Sequence, residues 1–185
     1  MRSNGAISGG TFNGTVHNLD NGTRTSTISG GTFGGAVYNN DHGTISGGNF
    51  RREITGIGDK SGYNYGIHIS GSAATSPAMD ADNWLYAPVN TAYSFSFSGT
   101  RPLSLRILRG SELLTAGTDY TYDPATGSVT IQESAMTAPL AITPIMPAAA
   151  AVPRTGDADS PALYAGLMLL TLSGLITLRK RRARG

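Results

Sequence analysis

Ile7-Ser8-Gly9-Gly10-Thr11-Phe12 returns as Ile28-Ser29-Gly30-Gly31-Thr32-Phe33 and, with Asn in place of Thr, as Ile45-Ser46-Gly47-Gly48-Asn49-Phe50. Each copy sets an apolar residue on either side of a Ser-Gly-Gly corner, the layout of short strands separated by glycine turns. Thr15-Val16-His17-Asn18 follows the first copy, and Ala36-Val37-Tyr38-Asn39 stands in the same place one repeat later. The Ile-to-Ile spacings are 21 and 17, then 24 to a fainter fourth copy at Ile69-Ser70-Gly71. Such uneven spacing argues against a propeller or leucine-rich array and fits a parallel β-solenoid whose coils carry turns of different length. Stacked coils would pile Ile on Ile, Phe on Phe and Val16 on Val37, burying side chains that one coil alone leaves in water. Asn18 and Asn39 then fall in register at a turn, where a side-chain amide satisfies turn backbone groups. Contact with a ligand is the competing role for the two asparagines.

Outward from the repeats, residues 72–91 show neither repeat nor sustained periodicity and read as a connection. From Tyr93 the pattern becomes strict alternation: Tyr93, Phe95 and Phe97 face one way, and Ser94, Ser96 and Ser98 the other. Leu103, Leu105 and Ile107 repeat the device. The turn Asp123-Pro124-Ala125-Thr126-Gly127 leads into Val129-Thr130-Ile131, and Leu140-Ala141-Ile142 closes a sheet of about five strands. The expected fold class is therefore all-β: a short parallel solenoid over 1–71, the connection 72–91, a small antiparallel β-sandwich over 92–143, and a C-terminal transmembrane helix. Between sandwich and helix, the Pro- and Ala-rich stretch 144–151 has the composition of an extended linker.

The Ile-Ser-Gly-Gly-Thr-Phe repeat resembles repeats of adhesin-like bacterial surface proteins, for which parallel β-helices are expected; this covers about a third of the chain. The stretch from Gly110 to Ile131 is similar to small bacterial immunoglobulin-like surface modules, including those called X2-like. That likeness implies a spacer, with Asp119 and Tyr120 serving the fold.

Val152-Pro153-Arg154-Thr155-Gly156 is followed by the apolar run 162–178 and then by Arg179-Lys180-Arg181-Arg182 and Arg184. The 17 residues of that run span ~26 Å as a helix, enough for a bilayer core. The cationic end resists translocation and stays on the cytoplasmic side. Pro153 fixes φ and holds Val152 extended, which preorganises the peptide for a groove. The order of pentapeptide, apolar span and basic end resembles the LPxTG-type cell-wall sorting signal. The resemblance implies that a sortase cleaves between Thr155 and Gly156 and joins Thr155 to peptidoglycan, the membrane being a transient partner through 162–178. Val152 stands where Leu is commonest, which leaves the sortase class open. The ordinary alternative is a plain membrane anchor in which Val-Pro-Arg-Thr-Gly occurs by chance.

Charge and composition bound the function further. Five of the 14 Lys and Arg residues crowd into the last seven positions; residues 1–155 hold nine against ten Asp and Glu, a net of −1. A nucleic-acid partner therefore lacks its electrostatic footprint. With no cysteine, disulfides, thiolate metal sites and Cys nucleophiles are excluded. Twenty-five glycines and only 14% charged residues suit β surfaces with short turns. Met1 leads into repeat sequence with no apolar h-region, so a C-terminal part of a longer exported polypeptide is expected.

Gly56 to Gly62 lacks the Gly-Lys-Thr order of a phosphate loop. Asp80-Ala81-Asp82-Asn83 begins like a calcium loop, but Trp84, Leu85 and Thr91 stand where a ligand, the glycine and the terminal Glu belong. His17, His42 and His68 read as solvent-facing turn residues, and Asn13-Gly14 and Asn21-Gly22 as turns. No cofactor or metal is expected. The leading expectation is a secreted, wall-linked display protein rather than an enzyme. The rival is the C-terminal part of a wall-anchored polysaccharide-active enzyme whose catalytic region lies upstream, since 1–71 offers only Asp20, Asp41, Glu53 and Asp59 as acids.

Overall fold

The computed structural model describes residues 2–3, 5–19 and 25–148. These are all-β, with both parallel and antiparallel sheets. Met1–Pro147 clusters as one compact unit, and 148–185 as a second of which only Ala148 is described. The expected membrane helix therefore lies outside the described residues, among which no helix is long and apolar enough to cross a membrane.

The repeats form β1 (Arg2–Ser3), β2 (Ala6–Ile7), β3 (Thr11–Phe12), β4 (Val16–Asn18), β5 (Thr27–Ile28), β6 (Thr32–Phe33), β7 (Val37–Asn39), β8 (Thr44–Ile45), β9 (Asn49–Phe50), β10 (Ile54–Thr55), β11 (Asp59–Lys60) and β12 (Asn64–Ile69). Each repeat adds one strand to each of three parallel sheets, ordered β1-β4-β7-β10, β2-β5-β8-β11 and β3-β6-β9-β12. The register stacks like on like: Ile7 on Ile28 on Ile45, and Phe12 on Phe33 on Phe50 on Tyr65. Val16, Val37 and Ile54 do the same on the remaining sheet. Ile28, Ile45, Phe33 and Phe50 are at most 1% exposed, so the repeated residues are the core. Nine positions separate Asn18 from Thr27 but five separate Asn39 from Thr44. The whole difference between spacings 21 and 17 thus sits in that turn.

The paired glycines have distinct reasons. A Cβ at Gly30 or Gly47 would lie 2.4 Å from the carbonyl oxygen of Ser8 or Ser29 in the preceding coil, a backbone contact that no rotamer relieves. Gly10, Gly31 and Gly48 have φ of 97°, 106° and 105°, in the left-handed region that favours glycine.

The fourth copy differs from the one expected at Ile69. Lys60 pairs with Ile45 and Tyr65 with Phe50, so the fourth coil is Lys60-Ser61-Gly62-Tyr63-Asn64-Tyr65. Ile69 instead pairs with Ile142. The chain runs on past the repeat register into a longer strand.

That strand joins the two kinds of pairing. The rest of the fold is β13 (Ala74–Ser76), β14 (Trp84–Pro88), β15 (Tyr93–Ser98), β16 (Ser104–Arg109), β17 (Glu112–Leu113), β18 (Tyr120–Asp123), β19 (Ser128–Ile131), a 3-10 turn at Glu133–Ala135, and β20 (Leu140–Ile145). The stretch read as a connection thus carries two strands. One edge of β12 pairs antiparallel with β14; the other pairs parallel with β9 over Asn64–Tyr65 and then with β20 over Ile67–Ile69. β20 continues antiparallel to β16, and β16 to β17. A repeat sheet and the antiparallel strands are therefore one hydrogen-bonded sheet. A separate antiparallel sheet, β13-β15-β19-β18, contributes Phe95, Phe97, Val129 and Ile131 to the same buried cluster as Ile67, Ile69, Ile107 and Ile142. Leu105 and Ile107 are buried as their alternation requires, whereas Leu103, one position before β16, is 62% exposed. The Asp123 turn forms as expected: Gly127 N–H reaches the Asp123 carbonyl at 2.7 Å, and the Asp123 carboxylate takes the Ala125 N–H and the Thr126 hydroxyl.

Candidate functional site

Val152, Pro153, Arg154, Thr155 and Gly156, and the basic Arg179, Lys180, Arg181, Arg182 and Arg184, lie outside the described residues. The described residues hold three polar constellations.

The first is the asparagine row. Asn18 and Asn39 are fully buried. Asn18 Nδ2 donates to Asn39 Oδ1 at 2.7 Å and to the Ser26 carbonyl. Asn39 Nδ2 donates to the carbonyls of Gly43 at 3.0 Å and Asp59 at 3.1 Å. The row runs one way, each amide nitrogen pointing on toward the following coil, and Asn18 Oδ1 has no partner among the described residues. At 0% exposure neither side chain is accessible to a ligand; both hold turns. On the outward side of the same strands His17 stacks on Tyr38 with centroids 4.8 Å apart. His68, on β12, packs against Trp84 at 4.9 Å. His17 and His68 are thus strand residues with aromatic partners rather than turn residues.

The second constellation is centred on Arg51, which follows β9 where the previous coil has Gly34. Its Nε donates to the Tyr86 hydroxyl at 2.8 Å, Nη2 to Asp80 at 2.9 Å and Nη1 to Asp82 at 2.8 Å, while its Cζ lies 5.3 Å from the Trp84 ring centroid. Asp80 accepts four bonds: from Arg51 and the Tyr86 hydroxyl on Oδ2, and from the N–H groups of Asp82 and Trp84 on Oδ1. Burial acts to raise its pKa, but the Trp84 N–H, Tyr86, the Asp82 N–H and Arg51 together hold the carboxyl below its usual range. Arg51 is held fully charged by Tyr86, Asp82 and Asp80 against the opposing effect of burial. The positive charge that Asp80 and Asp82 meet is a guanidinium. Among the described residues no group of three or more metal-ligating side chains comes together.

This network fastens 80–86 to the repeats, and its pH dependence has a definite sign. A carboxyl with a lowered folded pKa contributes stability above its unfolded pKa and loses it as pH falls through the folded value. Asp80→Asn is expected to cost about 1.5–3 kcal/mol at pH 7, the range for hydrogen bonds to charged groups. The variant's deficit should shrink in denaturation curves taken below about pH 4. An equal deficit at pH 7 and pH 3 would refute the ion-pair role.

The third constellation is an open depression of about 430 Å³ lined by Asn90, Thr118, Gln132, Glu133, Ser134 and Thr137. Sequence reading missed it because its walls come from three distant segments, none with a motif. The Arg51 network left a partial signal in the short apolar run Trp84-Leu85-Tyr86-Ala87, which the structure forms as a strand of alternately half-buried and buried residues inside the presumed connection.

No known protein family matches this chain, no curated protein matches it, and no solved structure matches it.

Proposed function

We propose that this chain is a display protein of a Gram-positive-type bacterial surface, covalently linked to peptidoglycan through Thr155. In this reading the three-sheet repeats are a parallel β-solenoid, the following strands an immunoglobulin-like spacer, and the stretch read as a linker over 144–151 begins only after Ile145, since Pro144 and Ile145 end β20. The apolar run 162–178 spans the membrane until a sortase forms a thioester with Thr155 and releases Gly156 onward.

The observation that carries the reading is the ordered composite of Val152-Pro153-Arg154-Thr155-Gly156, a bilayer-length apolar run and the cationic end from Arg179 to Arg184. Each part alone is common; together and in this order they perform one task. The fold supports the reading through the continuous sheet from β3 to β17, which joins repeats and spacer by backbone hydrogen bonds instead of a hinge. Pulling force applied at a C-terminal attachment would meet paired strands first.

Thr155→Ala in a sortase-bearing host tests the assignment. The parent chain is expected in the wall fraction after boiling detergent, released only by a muramidase, and the variant is expected almost wholly in the membrane fraction. Undiminished wall linkage of Thr155→Ala would overturn the reading.

A further inference from the structure

The depression around Gln132 and Ser134 has the construction of a binding site. At about 430 Å³ it falls within the size range of small-molecule sites. Its walls are fixed from beneath by backbone bonds: Asn90 N–H to the Met136 carbonyl at 2.9 Å, and Gln132 N–H to the Asp119 carbonyl at 2.9 Å. Arg109 adds bonds from Nη1 to the Ser134 carbonyl at 2.9 Å and the Thr137 hydroxyl at 3.1 Å. Ala135 and Met136, on the same turn, are fully buried. The rim is therefore preorganised.

Every residue lining it carries a polar side chain. Among the described residues the side chains of Asn90, Thr118, Gln132, Glu133 and Ser134 hydrogen-bond to nothing else, so two amides, two hydroxyls and one carboxylate converge uncommitted on one dish. Amides and hydroxyls both donate and accept, which matches the alternating donors and acceptors of vicinal diols. Glu133 is the single charge in the lining. Arg109, which braces the rim, directs Nε and Nη2 to Glu112 at 3.0 and 2.8 Å. An anionic ligand would face Glu133 with no cationic side chain in the lining, and an apolar ligand would strip water from every lining group.

We propose that this depression binds a neutral hydroxylated ligand, a short stretch of uncharged oligosaccharide. The site acts independently of the anchor and gives the displayed module a ligand of its own. With no aromatic ring in the lining, affinity rests on hydrogen bonds, so single-site binding is in the millimolar range and gains from many copies on one surface.

Backbone amide NMR of the full chain in mild detergent, titrated with maltotriose, N,N′,N″-triacetylchitotriose and a trigalacturonate, tests this. A neutral trimer is expected to move the amides of Gln132, Glu133 and Ser134. The double variant Gln132→Ala and Ser134→Ala should weaken it about tenfold. Trigalacturonate should bind more weakly than the neutral trimer, and Glu133→Gln should narrow that gap. Glu133→Gln is nearly isosteric and exposed, and it keeps the test available should the double variant fail to fold. The proposal is overturned if neither neutral trimer moves these amides, if the variants bind as the parent does, or if trigalacturonate binds equally well.

Discussion

Phe33→Ala is expected to lower the unfolding free energy by about 3–5 kcal/mol, the range for removing a buried phenyl ring. Phe33 is 1% exposed. It is sandwiched between Phe12, with centroids 5.1 Å apart, and Phe50 at 4.7 Å, both stacked nearly parallel. Removing it opens a cavity between two coils and deletes two ring contacts, each worth about 0.5–1.5 kcal/mol beyond area burial. The glycine corners at Gly30 and Gly47 already sit against the preceding coil's carbonyls, so the backbone has little room to collapse. Phe12→Ala is the internal comparison: this ring is only half-buried and stacks on one described neighbour, so its loss should cost less than half as much. Urea unfolding of both variants against the parent chain gives the ratio. Equal costs would show that coil-on-coil stacking does not set the stability.

Phe33 also explains why the repeat part of the fold was legible in sequence. A parallel stack aligns identical residues at a fixed rise, so the repetition that buries Ile, Phe and Val is itself the sequence signal. The signal failed where an apolar position was filled by something else. Lys60 occupies the place of Ile45 at an exposed end of its sheet, so the fourth coil was displaced in sequence reading to Ile69. The Ser61-Gly62 and Asn64 pattern still marked it. Alternation similarly disclosed β15 and β16, because each buries one face. It did not disclose β14's pairing with β12, nor the junction where β9 and β20 share one edge of β12, since strand neighbours far apart in sequence leave no local pattern. The expected break between repeats and sandwich follows the change from repeat to alternation, while hydrogen bonding runs through it. Of the polar sites, Asp80 and Asp82 attracted attention for their spacing, but their partner Arg51 lies about thirty positions earlier, and only folding joins them.

Asn39→Asp is expected to cost about 3–5 kcal/mol at pH 7, as for an uncompensated buried charge, although it changes a single side-chain atom. Asn39 is fully buried, and its Nδ2 donates to two carbonyls, of Gly43 and Asp59. A carboxylate oxygen in that place faces two acceptors with no proton between them. Asn39→Ala removes the same donor without adding a charge, takes that bond from both carbonyls and leaves Asn18 Nδ2 with the Ser26 carbonyl as its remaining acceptor, at about 1–3 kcal/mol. The two variants separate by pH. Burial, with two carbonyls facing one oxygen and only the neutral Asn18 amide donating to the other, raises the folded pKa of the new carboxyl above its unfolded value near 4. The folded state then holds the extra proton, so the Asp variant is least impaired at acid pH. Its stability falls by about 1.4 kcal/mol per pH unit as pH rises from about 4 to the raised folded value. Once protonated, the introduced carboxyl can donate to one carbonyl, which places the variant's acid-side deficit near that of the Ala variant. Denaturation midpoints of parent, Ala and Asp chains from pH 4 to 7 should therefore diverge only for Asp. If all three run parallel, the carboxylate has found a donor or water in that turn, and the new charge is not left uncompensated.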